Sequence, residues 1–279
     1  MPCQLLQPAS QSSLFRHRRI LADGWCSEVA AGYNRLVESL HQPGYLAGRR
    51  AVVLGGTSGL GAICTRHLLA HGVDILATGR TLPGELGQTA GEAPARLHLL
   101  VFDYPRHPVS AVAKEAGRTP GLPLHILLHC LGPVIAKPVA ETGTEELLRL
   151  LHVNAVSFHE ALLEFAPLLA PGGRVVVLTV AGAENLLART LLPAYFAAKA
   201  ALLSLVKSWV RPLAARGITV NGIAPGLFRG ELELDAARKV PMGRPGEPGD
   251  LEQALRFLLA PASGYITGNN IVVSGGYGL

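Results

Sequence analysis

Aromatic residues are scarce, at 5% of the chain, and charged residues make up only 16%. Basic and aromatic side chains do not interleave, and the net charge of +5 has no cationic run beyond Arg16-His17-Arg18-Arg19. A nucleic-acid surface is therefore poorly supported. Long apolar runs are also missing: none reaches the ~18 residues that a spanning helix needs, so no membrane partner is expected. Cysteine is confined to Cys3, Cys26, Cys64 and Cys130. No two are spaced as a metal clip and no secretory signal is present, so reduced thiols, no bound metal and a cytoplasmic location are the expectation. Acids are absent from residues 1–22, which carry several arginines and serines. That composition leans toward a mitochondrial transit peptide, but an ordinary N-terminal extension is the preferred reading.

Apolar residues are plentiful. At 49% of 279 residues they supply a large core and argue against disorder. The length suits a single α/β domain with an extension. In residues 1–45, Val29, Tyr33, Leu36, Val37 and Leu40 fall at helical spacing and predict one amphipathic helix over Ser27 to Leu40, ended by Pro43-Gly44. Residues 46–279 then alternate strand and helix. Strands are predicted at Arg50 to Gly55, Asp74 to Thr78, Arg96 to Val101, His125 to His129, Arg174 to Leu178, Thr219 to Ile223 and Ile271 to Val273. Such alternation means a Rossmann-type, doubly wound parallel sheet of about seven strands with helices on both faces. Thr142-x-x-Glu145 resembles a capping box and predicts one long helix running to Leu169.

Three patterns carry chemistry. The first is Gly55-Gly56-Thr57-Ser58-Gly59-Leu60-Gly61, which joins the first strand to the first helix of the domain. Glycines there permit tight turning and close backbone approach, and the helix N-terminus offers N–H donors to a pyrophosphate. The second is Thr78-Gly79-Arg80 at the end of the second strand. An acid at this place would serve the ribose hydroxyls of NAD, whereas an arginine can fork onto a 2′-phosphate. The third is Tyr195 with Lys199, four apart on one helix face. A phenol of pKa roughly 10 exchanges protons poorly at neutral pH, and an adjacent ammonium lowers that value. Alone, such a pair is as well explained by a half-buried tyrosine and a snorkelling lysine. Asn154, polar among apolar neighbours on the preceding helix, is either a satisfied core side chain or part of the same site.

Taken together, these marks resemble the short-chain dehydrogenase/reductase family from about Leu46 to the C-terminus. The family's glycine motif T-G-x-x-x-G-x-G is matched by Leu54 to Gly61, with leucine in place of threonine. Asp103 matches its adenine-contacting aspartate, Asn154 its active-site asparagine, Tyr195 and Lys199 its catalytic pair, and Asn221 to Gly226 its P-G stretch. The resemblance implies a cofactor set of Gly55, Thr57, Ser58, Gly59, Leu60, Gly61, Arg80, Asp103, Tyr104, Leu131, Gly132, Tyr195, Lys199, Pro225, Gly226 and Phe228. It also implies hydride transfer between NADP(H) and a carbonyl, with Tyr195 as proton donor, Lys199 holding the ribose and Asn154 holding a relay water. A homodimer or homotetramer is implied as well, through the Asn154 and Tyr195 helices and the last strand; Leu202, Leu205, Val206 and Trp209 offer apolar helix faces for it.

The departures matter equally. The family's N-N-A-G is His129-Cys130-Leu131-Gly132 here, so bonds that brace that strand are lost or replaced. The catalytic serine aligns with Thr179, given a longer loop before Tyr195, or with Val180 if strand length decides; Thr179 is preferred as the donor to the substrate oxygen. The threonine usually found after P-G is Gly230. The expected activity is NADPH-dependent reduction of an apolar small-molecule ketone. Non-redox chemistry on the same fold (cyclase, isomerase or dehydratase) and a nucleotide-sensing binding protein are the alternatives. Substrate walls are expected from residues 131–140, 183–192 and 227–240.

Overall fold

The computed structural model describes residues 44–81, 96–118, 123–185, 188–189, 191–230 and 236–278. The extension expected over residues 1–45, with its helix, lies outside the described residues except for Gly44 and Tyr45. Seven strands, β1 (Arg50–Leu54), β2 (Asp74–Gly79), β3 (Leu97–Val101), β4 (Leu124–His129), β5 (Leu169–Leu178), β6 (Thr219–Pro225) and β7 (Asn270–Val273), form one sheet. Its order is β3-β2-β1-β4-β5-β6-β7, and every pairing is parallel. The helices are α1 (Gly59–Ala70), α2 (Val109–Gly117), α3 (Thr144–Leu151), α4 (Ser157–Phe165), α5 (Pro193–Ser208), α6 (Val210–Ala214) and α7 (Pro248–Leu259).

Side chains alternate across a strand, and here both faces are covered. On β1, Val52 and Leu54 join one core layer with Val112, Phe158, Phe165 and Leu202, from α2, α4 and α5. Ala51 and Val53 join the other, with Leu68, Leu251 and Leu255 of α1 and α7. Connections reverse direction between β1 and β4, which opens a crevice at the carboxyl ends of these strands.

Three expectations are corrected. The capping box does not form: Gly143 occupies the N-cap without a side-chain bond, and the Thr142 hydroxyl donates instead to the Pro138 carbonyl at 2.9 Å. The single long helix is also interrupted, by a π-helical turn over His152–Val156. Asn154 Nδ2 donates to the Leu150 carbonyl and Ser157 Oγ to the Val153 carbonyl. Side chains that occupy i−4 carbonyls disturb the regular ladder there. The strand expected from Arg174 begins earlier, because Leu169 pairs with Leu124 before a register shift.

Candidate active site

The glycine turn is built for close approach. Gly55 has φ 78°, and a Cβ on Gly61 would sit 2.1 Å from the Gly55 carbonyl oxygen. Thr65 Oγ1 is in hydrogen-bond reach of the Gly56 and Gly61 carbonyls, which fixes the turn from within α1. Ser58 caps α1 in extended conformation without a side-chain bond, leaving the first-turn N–H groups turned to the cleft. At the end of β2, a Cβ on Gly79 would meet Thr57 Oγ1 at 1.7 Å, so the turn itself excludes an acid at that position. Arg80 is exposed on the cleft instead.

Tyr195 and Lys199 stand in the first turns of α5. Pro193 occupies the first turn, as its fixed φ favours, and Leu192 caps it with φ 66°. Leu192 is the one non-glycine residue with positive φ among those described, and it lines the cleft. Backbone strain of this kind collects at functional sites. Tyr195 and Lys199 are both buried, with the ammonium 5.6 Å from the tyrosine ring centroid. Lys199 Nζ donates to the Leu178 carbonyl at 2.7 Å. Burial brings its pKa down to about 7, an effect that Cys130 partly opposes. Asn154 is fully buried one layer behind, and its Oδ1 has no partner among the described residues. A Cβ on Gly132 would lie 2.6 Å from that oxygen and 2.7 Å from Lys199 Nζ. The absence of a side chain at residue 132 therefore lets its backbone approach both polar groups closely.

Thr179 sits at the strand end where a hydroxyl is expected, and it lines the cleft together with Val180. Its proton is directed elsewhere: Oγ1 donates to Asn270 Oδ1 at 2.6 Å and lies 3.1 Å from the Ile223 carbonyl. Asn270 in turn donates to Glu184. This orientation argues against Thr179 as the donor to a substrate oxygen. The brace missing from the N-N-A-G segment is supplied by His129. Its Nε2 lies 2.7 Å from Ser157 Oγ, and its ring meets Phe158 edge-on. Burial, with Lys199 nearby, pushes its pKa down to about 3, so it is neutral at physiological pH.

The crevice is a cleft of roughly 1230 Å³. All of the sequence-derived cofactor residues line it except Phe228. Phe228 is instead buried in the core layer beneath α7, where a Cβ on Gly246 would touch its ring. Leu131 to Val134, Leu191, Leu192, Leu227 and Gly230 line the cleft as the expected walls. Lys239 also lines the cleft, within the expected wall 227–240, whereas sequence reasoning missed Arg106, Arg149 and Tyr277, which lie far apart in the chain and carry no local motif. The lining holds five basic side chains, Arg80, Arg106, Arg149, Lys199 and Lys239, against the single carboxylate of Asp103. Arg106 pairs with Asp103 at 3.3 Å. A glycine cradle that a Cβ would fill, edged by excess positive charge, fits a phosphate-rich dinucleotide.

A family model described as enoyl-(acyl carrier protein) reductase matches residues 55–278. The chain belongs to the short-chain dehydrogenase/reductase family. Members are oxidoreductases that use NAD(P), and this domain has their fold. It is 31% identical to carbonyl reductase family member 4 of Danio rerio, over 82% of this chain and 97% of that one. It is 33% identical to an uncharacterized short-chain type dehydrogenase/reductase of Sinorhizobium fredii, but spans only 44% of that longer relative. Among solved structures, a blue fluorescent protein from a metagenomic library, in complex with NADPH, superposes with a TM-score of 0.76 at 28% identity. That match covers 84% of this chain and 99% of the other. Among the described residues, no helix is long and apolar enough to cross a membrane, and no cluster of His, Cys, Asp and Glu could hold a metal ion.

Proposed function

We propose that this short-chain dehydrogenase/reductase is an NADPH-dependent reductase of a carbonyl on an apolar small molecule. The observation that carries the reading is Lys199, held by the Leu178 carbonyl beside Tyr195 at the floor of a cationic cleft. A bound NADPH would supply the hydride. Backbone N–H groups from Gly55 to Gly61 would hold its pyrophosphate, Arg80 its 2′-phosphate, and Asp103 with Tyr104 its adenine end. Tyr195 gives its proton to the oxygen that gains charge, and the Lys199 ammonium favours the resulting phenolate. Asn154, whose buried Oδ1 has no partner among the described residues, would hold the water that returns the proton. Leu191, Leu192, Phe196 and Leu227 give the substrate end its apolar wall. A cytoplasmic homo-oligomer is part of the same reading.

One observation favours a second reading. The Thr179 hydroxyl is turned to Asn270, so a donor to the developing oxyanion is withheld. Non-redox chemistry on the same fold would tolerate that. Titration of NADPH and NADH, with Arg80→Ala beside wild type, tests the cofactor assignment. Wild type is expected to favour NADPH, and the variant to lose roughly tenfold or more toward NADPH alone, as for a charge-assisted bond. Equal affinity for the two nucleotides, or an unchanged preference in the variant, would remove Arg80 from this role.

A further inference from the structure

Two thiols meet beneath the glycine turn. Cys64 projects from the second turn of α1 and is fully buried, at 2% exposure, whereas Cys130 follows the last residue of β4 and lines the cleft. Cys130 packs against the core layer that holds Cys64, Cys64 lies three residues on from Gly61 in α1, and both thiols are free. Cys130 is also what the turn is moulded around. A Cβ on Gly61 would sit 3.0 Å from the Cys130 Cβ, and one on Gly55 3.1 Å from the Cys130 carbonyl carbon. No step of the proposed reduction uses either sulfur.

We propose that Cys64 and Cys130 form an oxidisable dithiol that peroxide converts to a disulfide when the cleft is empty, and that this disulfide weakens dinucleotide binding. Cys130 reacts first, because it alone is reached from the cleft. Its thiolate attacks one oxygen of hydrogen peroxide, the O–O bond breaks, hydroxide leaves and takes up a proton, and Cys130 becomes a sulfenic acid. Cys64 sulfur then attacks the Cys130 sulfur, the S–S bond forms and the S–O bond breaks. The departing hydroxide takes the Cys64 proton as water. In sum, two thiols and one peroxide give one disulfide and two waters. The neighbouring Cys130 thiol, and then burial, hold Cys64 protonated well above the ordinary range, which keeps it inert except toward a sulfenic group beside it.

The consequence is mechanical. A disulfide fixes the sulfurs about 2.05 Å apart and the Cβ atoms at roughly 3.5–4.5 Å, closer than two thiols in van der Waals contact. Closing it draws α1 toward the end of β4. Between them lies the turn, where Gly61 already has no room for a single added carbon. The N–H cradle is thereby distorted. A bound dinucleotide covers Cys130 and protects it.

The inference rests on the cleft being a dinucleotide site, and the reduced protein tests that first. Full-length protein with Cys3→Ser and Cys26→Ser, reduced and desalted, is titrated with NADP⁺ and then exposed to hydrogen peroxide with or without saturating NADP⁺. Peptide mapping should find Cys64 linked to Cys130 only in the unprotected sample. The Kd for NADP⁺ should rise at least tenfold there and return with dithiothreitol. In Cys64→Ala, no link forms, Cys130 proceeds to the sulfinic acid, and dithiothreitol fails to restore binding. Absence of the linked peptide, a linked protein with unchanged affinity, or full rescue of Cys64→Ala by dithiothreitol would each overturn the proposal. Failure of the reduced protein to bind NADP⁺ at all would instead sink the cofactor reading.

Discussion

Thr179 has one proton and Tyr195 has one proton, and their surroundings separate them. Thr179 is 2% exposed and its hydroxyl is bonded toward Asn270, whereas Tyr195 borders the cleft beside Lys199. Tyr195→Phe removes the proton donor itself and should lower kcat by roughly 10²–10⁴. Thr179→Val nearly keeps volume and should lower kcat by under about tenfold, because the lost bond is to Asn270. A fall of roughly 10²–10³ in Thr179→Val, the cost of a lost oxyanion donor, would show that the hydroxyl turns to the substrate. Steady-state kinetics on the two variants decide it. The sequence could place a hydroxyl at residue 179 but could not aim it, since its partner Asn270 lies 91 residues away in another strand. Phe228 shows the same limit: its position after the P-G stretch is legible, but its direction depends on Gly246, from another loop.

Strands and the glycine turn are written in local patterns, and their places differ little from expectation. The π-helical turn is not, because Asn154 and Ser157 both look like tolerated polar residues in a helix until their i−4 bonds are seen. That turn presents Ser157 to His129, and the pair ties α4 to β4 under the site. Ser157→Ala strands the buried imidazole and should cost roughly 1–3 kcal/mol in urea denaturation at pH 7. His129 also sets a pH dependence. Its folded pKa, about 3, lies below the ordinary 6.5, so the unfolded chain takes up the proton first. The stability it contributes is complete above pH 6.5 and is lost as pH falls toward 3. In His129→Phe the acid slope between pH 6 and 4 should be shallower by up to about 1.4 kcal/mol per pH unit. An unchanged slope would mean that His129 is charged in the fold.

For the whole molecule, the faces expected to join subunits need revision. Leu202 and Val206 are fully buried in the domain's own core, and Leu205 and Trp209 are partly so. The exposed apolar side chains nearby are Leu148 on α3 and Leu163 on α4, each 57% exposed. If the chain self-associates through these helices, Leu148→Arg with Leu163→Arg should shift light scattering from a dimer or tetramer to a monomer. A wild-type monomer at micromolar concentration would contradict the oligomer. The central claim is that the cationic cleft, Tyr195 and Lys199 together reduce a carbonyl. It is tested most directly by following NADPH absorbance while quantifying product from a panel of apolar ketones, with Tyr195→Phe in parallel. The account predicts one NADPH consumed per alcohol formed, and near-silence in the variant. Product formed without NADPH consumption, or turnover that survives Tyr195→Phe, would contradict it.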